Sequence, residues 1–445
     1  MVDTLRKTIN AAILVLAFVS IGFTQETKFD AAAAASQVTE FDVNGLKVIV
    51  KRRPSAPTVA AALFVRGGSR NIDEKTAGIE DLTLKSAIEA GKKFPRQVVR
   101  RELSRTGSVI GASASEDYSI VSLASTRRNF DRVWDIFADV VLEPAFADED
   151  IERNRRATLS ALNEQEISPE GALAVAIQRT VYAGHPYAND ATGTPTTINS
   201  FKAADLIAWH KKIMQTSRLL LVFVGDLDPS EIKARIAASF GKLPRGDYKE
   251  TAYPALNFTK PTLDIIQRAN IPTNYVEGVF NAPSLNDPDY YPMQVAIAIL
   301  QQLVTLEVRN NRQLSYAPEA EINKSAANTA DISVTSTDAN QSVTVMLEQI
   351  DRLKKQTLTD DVISEVGGNF LTTYFLGQET SAAQVGELGK YELIGGGWRN
   401  SFDFLDRMRK VKATEVQAVS NKYMRNLRFV VVGNPAQINR SIFLQ

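Results

Sequence analysis

The sequence predicts an α+β fold made of two homologous domains, and three observations carry that reading. The first is an internal repeat. Residues 202–225 read KAADLIAWHKKIMQTSRLLLVFVG and residues 412–433 read KATEVQAVSNKYMRNLRFVVVG. Both open on Lys-Ala, run through an amphipathic helix that contains a Met, and end in an apolar strand closed by Val-Gly. The closing glycines are Gly225 and Gly433. The second is the hairpin signal Asn44-Gly45 between VTEFDV and LKVIVKRR, since Asn-Gly fits the two-residue turn that joins right-twisted strands. The third is the order of patterns: strand groups alternate with helix groups in each half, without the strict strand–helix–strand rhythm of a doubly wound parallel sheet.

In chain order, MVDTLRK is a short, weakly basic start and INAAILVLAFVSIGF is an apolar run closing near Ser20, Ile21 and Gly22. The run is short for a span of about 20 residues and matches a secretory h-region, so residues 1–24 read as a signal peptide, with an uncleaved anchor as the alternative. Residues 25–37, including DAAAAASQ, read as a flexible leader. The first domain is expected over 38–239: the hairpin, a further strand in TVAAALFVRGG, a long helical region from Gly78 to about Val181, and two strands interrupting it in GSVIGASASEDYSIVSLAST. Residues 240–262 combine prolines, glycines and charges and read as a linker. The second domain is expected over 263–445. IGGGW (394–398) reads as a turn.

Composition narrows the chemistry. The 445 residues are 44% hydrophobic and 23% charged, enough apolar material for large cores. Lys+Arg and Asp+Glu are 51 each, a balance that argues against nucleic-acid binding through basic patches. Cysteine is absent, which removes disulfides, thiolate nucleophiles and Cys-ligated zinc. Only His185 and His210 are present, and both read as structural.

VRGGSRNIDEKTAGIEDLTLKSAIEAG then poses a specific question. A strand ends in Gly68-Ser69-Arg70, a loop leads to Gly78, and a helix follows to Ala90-Gly91. This layout resembles the insulinase, or pitrilysin, family of zinc peptidases, which includes the mitochondrial processing peptidases. In that family the helix carries H-x-x-E-H: two histidines one turn apart hold Zn²⁺ and the Glu activates water. Here Asp81, Leu84 and Lys85 fall on those three positions. The family's third ligand, a Glu on a downstream helix, falls near Ala161, with Glu164 a turn away. The expectation is no metal site in this chain. Asp81 and Lys85 read as an i,i+4 surface pair worth a few tenths of a kcal/mol, or as lining of a shared cavity.

The resemblance covers most of the chain. It implies two homologous domains, each a mainly antiparallel sheet with helices on one face, enclosing a cavity between halves or subunits. In the second domain, LQQLVTLEVRNNRQLSYAPEAEIN resembles the family's R-x-x-x-G-L-x-Y signature: Arg309 and Tyr316 keep the seven-residue spacing, Leu314 is in place, and Gln313 stands where Gly is usual. By that likeness Tyr316 would donate to an oxyanion and Arg309 would hold substrate carbonyls. The implied function is the zinc-lacking subunit of a heterodimeric metalloendopeptidase, with no cofactor of its own and Zn²⁺ in a homologous partner. Such a chain would not be an autonomous peptidase. It would be exported, periplasmic, without a transmembrane domain once mature, and would act on peptides or unfolded segments. The alternatives are a non-catalytic scaffold or a peptide-binding subunit of a cell-envelope complex, including a homodimer.

Overall fold

The computed structural model describes residues 30–268, 271–356 and 358–445. The expected signal peptide lies outside the described residues. Ala31–Ser36, within the stretch read as a leader, is a short helix whose first turn is capped by Asp30.

The first sheet contains β1 (Val38–Val43), β2 (Leu46–Arg52), β3 (Thr58–Arg66), β4 (Val109–Ala114), β5 (Tyr118–Thr126) and β6 (Leu219–Gly225), in the order β1-β2-β6-β3-β5-β4. The second contains β7 (Thr262–Gln267), β8 (Asn274–Asn281), β9 (Glu319–Ile322), β10 (Thr329–Ser336) and β11 (Arg428–Gly433), in the order β7-β11-β8-β10-β9. Of the helices, those that position the features below are α1 (Ile79–Ala87), α2 (Asp148–Ile167), α3 (Pro169–Val181), α4 (Ala203–Ile213), α5 (Tyr290–Val304), α6 (Asp360–Gly377), α7 (Ser381–Ile394), α8 (Asn400–Arg409) and α9 (Ala413–Tyr423).

Apart from β1, the two sheets share one topology. In each, the repeat strand lies parallel to the opening strand and antiparallel to the next: β6 beside β2 and β3, β11 beside β7 and β8. The helices that precede the repeat strands also match. The Lys202 amide donates to Asp205 at 2.8 Å and the Lys412 amide to Glu415 at 2.8 Å, so one capping device starts both α4 and α9. The hairpin is built as its sequence dictates. Val43 pairs with Leu46, and Asn44 (φ 55°) and Gly45 (φ 86°) both take the left-handed conformation such a turn requires.

The faces are less simple than helices on one side. One face of the first sheet packs on its own helices through Val48, Leu63, Leu221 and Phe223. The opposite face, with Ile49, Ala60, Phe64, Leu220 and Val222, is covered by Val385 and Leu388 of α7 and by Trp398 and Phe402, all from the second half. Reciprocally, Leu173, Ala176 and Ile177 of α3 cover Val279, Val430 and Val432 of the second sheet. Each half therefore lends helical cover to the other: α7 and the start of α8 to the first sheet, α3 to the second. The exchange is pinned by polar contacts: Trp398 Nε1 donates to Glu40 at 2.9 Å, Lys47 pairs with Glu392 at 2.7 Å, and Tyr182 bonds Thr329 at 2.9 Å. The Trp398 bond, with help from Lys47 and Arg399, holds the Glu40 carboxyl down at about 2.

Residues 243–261, the greater part of the stretch read as a linker, form no helix or strand. They still pack closely. The Arg70 guanidinium lies 3.9 Å from the Tyr253 ring centroid and pairs with Glu250 at 3.2 Å.

Candidate functional site

α1 begins at Gly78, whose φ of 83° is left-handed. A Cβ there would come within 2.6 Å of the Gly193 Cα, so glycine is required by close approach as well as by conformation. The helix is then enclosed by β4, α2 and α4, and eight of its nine residues are buried, Lys85 being the exception. This corrects the expected surface pair. Lys85 Nζ does meet Asp81 Oδ2 at 2.6 Å, but the Asp81 side chain is 1% exposed. Its other oxygen accepts from the Ala114 amide at 3.2 Å, because the helix presses that carboxylate against the end of β4. Burial raises the Asp81 carboxyl above the ordinary aspartate range, and Lys85 only partly offsets it.

The neighbouring Glu80 was not singled out by pattern. Its carboxylate is buried and fully engaged: Arg218 Nη2 at 2.9 Å, Trp209 Nε1 at 3.1 Å and Ser119 Oγ at 2.6 Å. That cluster ties α1 to α4, β5 and the start of β6. The only advance signal was an acidic residue inside an apolar frame, which normally implies a buried partner.

These residues do not fit zinc. Two imidazoles are replaced by a carboxylate and an ammonium already closed on each other, and Leu84, 1% exposed, has no basic atom. Ala161 on α2 offers no ligand either, and Glu164 accepts from Ser160 at 3.2 Å on an exposed surface. Among the described residues no group of three or more His, Cys, Asp or Glu is placed to hold a metal. Both histidines serve the fold. His185 Nδ1 accepts from the Tyr187 amide at 3.1 Å and its Nε2 lies 3.0 Å from the Pro254 carbonyl. His210 Nε2 lies 2.8 Å from the Val141 carbonyl. Burial lowers both imidazoles below the usual range.

Arg309 and Tyr316 are brought together. α5 continues into a π-helical segment, Thr305–Asn311, anchored by the fully buried Val304 and Val308. That anchoring leaves Arg309 on the outer side. The chain then reverses at Gln313, which occupies the left-handed region (φ 52°) in which glycine is at ease. The Leu314 amide returns to the Val308 carbonyl at 2.8 Å. The reversal sets the Arg309 guanidinium 4.1 Å from the Tyr316 ring centroid, beside an open depression also lined by Asn310 and Ser315. Tyr316 is 79% exposed. It lies in an irregular stretch that precedes β9, which begins at Glu319.

Fold and site together define a two-domain, peptidase-like α+β protein whose metal-helix positions offer one carboxylate, Asp81, already paired with Lys85, and no second ligand. Residues 47–195 match the family described as Insulinase (Peptidase family M16), and residues 200–366 match the Peptidase M16 inactive domain. The chain belongs to the M16 family.

Among curated relatives, the beta subunit of the Saccharomyces cerevisiae mitochondrial-processing peptidase is 20% identical over 429 residues, covering 90% of this chain and 92% of that one. Bovine cytochrome b-c1 complex subunit 1 is 24% identical over 267 residues, covering 60% of this chain. The match spans about half of that relative's length, 55%. Among solved structures, a peptidase M16 inactive domain from Pseudomonas fluorescens superposes with a TM-score of 0.81 at 21% identity, covering 89% of this chain and 98% of that one. A protease from Helicobacter pylori gives 0.80 at 18% identity, covering 89% and 99%.

Proposed function

We propose that this chain is the zinc-lacking subunit of a heterodimeric insulinase-family metalloendopeptidase. Arg309 and Tyr316 act on substrate bound to a homologous partner, which carries H-x-x-E-H and the Zn²⁺. One observation carries the reading: the Arg309–Tyr316 stack stands in solvent while the metal positions of α1 are occupied by the Asp81–Lys85 pair. An exposed tyrosine held against an arginine at the end of a π-helical segment does little for the core, and π-helical insertions are frequent at functional sites.

In this reading the Tyr316 hydroxyl donates to the oxyanion of the tetrahedral intermediate. Arg309, with five donors in a fixed fork, holds peptide carbonyls of an extended or unfolded segment. Neither residue needs to bind metal. The likeness to a protein named as a processing-peptidase subunit supports a two-chain enzyme.

The test is reconstitution. The purified chain is mixed with a homologous chain that has H-x-x-E-H intact, and cleavage of fluorogenic peptides is followed. Activity is expected only from the mixture, and Tyr316→Phe should lower kcat by roughly 10²–10³-fold. Full activity with Tyr316→Phe sinks the catalytic role.

A second reading, a scaffold subunit without catalytic contribution, is favoured by the likeness to a cytochrome b-c1 complex subunit. It expects a stable complex whose activity ignores both residues. We also place the mature chain in the periplasm, on the apolar run near the N-terminus. Among the described residues no helix is long and apolar enough to cross a membrane. Cell fractionation with sequencing of the mature N-terminus checks the placement, and an unprocessed chain in the cytoplasmic fraction refutes it.

A further inference from the structure

A cavity of about 370 Å³ lies within the second half, away from Arg309 and α1, between α5, α6, α7, α8 and the loop that joins β9 to β10. One wall is aromatic. Tyr374 stacks on Phe404 with centroids 6.0 Å apart and planes 8° apart, and Phe370 meets Phe404 edge-on at 6.4 Å. Two cations also line the space: Lys390 of α7 and Lys324 of the loop. Tyr290 of α5 lines it as well. Its oxygen accepts from Gln294 Nε2 at 2.6 Å, which leaves the phenol proton available to donate.

The charges do not balance. Glu387 is the one carboxylate in the lining, and it also offsets Lys51 on β2. Among the described residues no carboxylate is close enough to close a salt bridge with Lys390 or Lys324. Glu387 offsets the Lys390 charge only in part, from beyond ion-pair distance, and a half-buried ammonium without a directly paired anion is costly to the fold. Burial, followed by Lys324, lowers the Lys390 ammonium to about 8. A hydrophobic residue would fill the position at no such cost. A few charged groups among the aromatic side chains of a cavity are the means by which small-molecule sites fix orientation.

We propose that this cavity binds a small amphipathic carboxylate, whose acid group pairs with Lys390 and Lys324 and whose apolar chain or ring lies against Phe370, Tyr374 and Phe404. Among the described residues the lining holds no arginine. That donor set suits one carboxylate better than a phosphate, which favours bidentate forks and amide nests. The site is independent of the peptidase reading and stands or falls separately.

Calorimetric titration of the full chain with sodium decanoate and with 4-phenylbutyrate tests it, with decanol as the uncharged control. The two acids separate an aliphatic from an aromatic tail. Saturable binding of at least one acid is expected, about tenfold or more tighter than decanol, because a charge-assisted bond is lost with the acid group. Lys390→Met should remove that preference while leaving decanol binding unchanged. Lys324→Met, at an exposed position that does not endanger folding, should weaken acid binding several-fold. Glu387→Gln should tighten it. Acids bound no better than decanol, or wild-type acid affinity in both lysine variants, overturn the proposal.

Discussion

The guanidinium of Arg309 lies 4.1 Å from the centroid of the Tyr316 ring, across a chain reversal of seven residues. Both side chains are exposed, and the contact is worth about 0.5–1 kcal/mol at such a site. Tyr316→Phe keeps the ring and should leave stability within about 0.5 kcal/mol, whereas Arg309→Ala should cost no more than about 1 kcal/mol. Urea denaturation of the isolated chain checks both. A much larger loss would mean that the pair serves the fold.

The turn that makes this contact is strained. Gln313 sits at φ 52°, where a side chain costs about 1 kcal/mol or more. Gln313→Gly should raise stability by roughly 0.5–1 kcal/mol and keep the Arg309–Tyr316 stack. A lower denaturation midpoint would show that the Gln313 side chain makes a contact that outweighs the strain.

Asp81 is a buried carboxylate held by one half-exposed lysine. Lys85→Met should cost about 1–3 kcal/mol at neutral pH, because it leaves that carboxylate uncompensated. Burial raises the Asp81 carboxyl in the folded state, so its contribution to stability is complete below the unfolded value of about 3.9 and is lost as pH rises through the folded value. Removing Lys85 raises the folded value further. The deficit of Lys85→Met should therefore shrink on acidification toward pH 4, and Asp81→Asn added to it should restore neutral-pH stability. Thermal melts across pH 4–8 measure this.

A second group of acids sets a wider pH dependence. Ladder pairing puts Glu277 on β8, Asp331 on β10, and Glu319 and Glu321 on β9 on one face of the second sheet. Burial, and then the neighbouring acids, push Glu277 up to about 7 and Asp331 up to about 8. Their contribution is complete below about 4, the unfolded value, and is lost as pH rises through 7 and 8. The melting temperature should fall from pH 6 to pH 9. Glu277→Gln and Asp331→Asn should each add roughly 1–2 kcal/mol at pH 8 and flatten the profile. A profile level over that range in the unmodified chain would contradict the reading.

The exchange of helices rests on one close approach. A Cβ on Gly389 of α7 would fall 2.1 Å from the tip of the Phe64 ring, and that ring is fully buried on β3. Gly389→Ala should destabilise by about 1–3 kcal/mol through overpacking. Residues 38–262 produced alone should aggregate, since Phe64 and Val222 lose their cover, and co-production with residues 263–445 should rescue them. A soluble, monomeric first half would argue against the exchange as a requirement for folding.

Much of this was written locally. Asn44-Gly45 specified its turn because only such residues take left-handed conformations without strain. The paired Lys-Ala helices and Val-Gly strands marked the duplication because capping and strand patterns span a few adjacent residues. Asp81, Leu84 and Lys85 showed the loss of zinc chemistry, because a metal site needs particular donor atoms. Packing decided the rest. Amphipathic periodicity shows that α3 and α7 have an apolar face, but hydrophobic burial has no direction, so it does not name the sheet that each face meets. One trace was present: AAALFV and LLLVFV run apolar without alternation, as strands covered on both faces do. The burial of Asp81, the partners that close around Glu80 and the lack of an ion pair at Lys390 had no such trace. A charged side chain is solvated or enclosed according to residues distant in sequence, and only the assembled chain brings those residues to it.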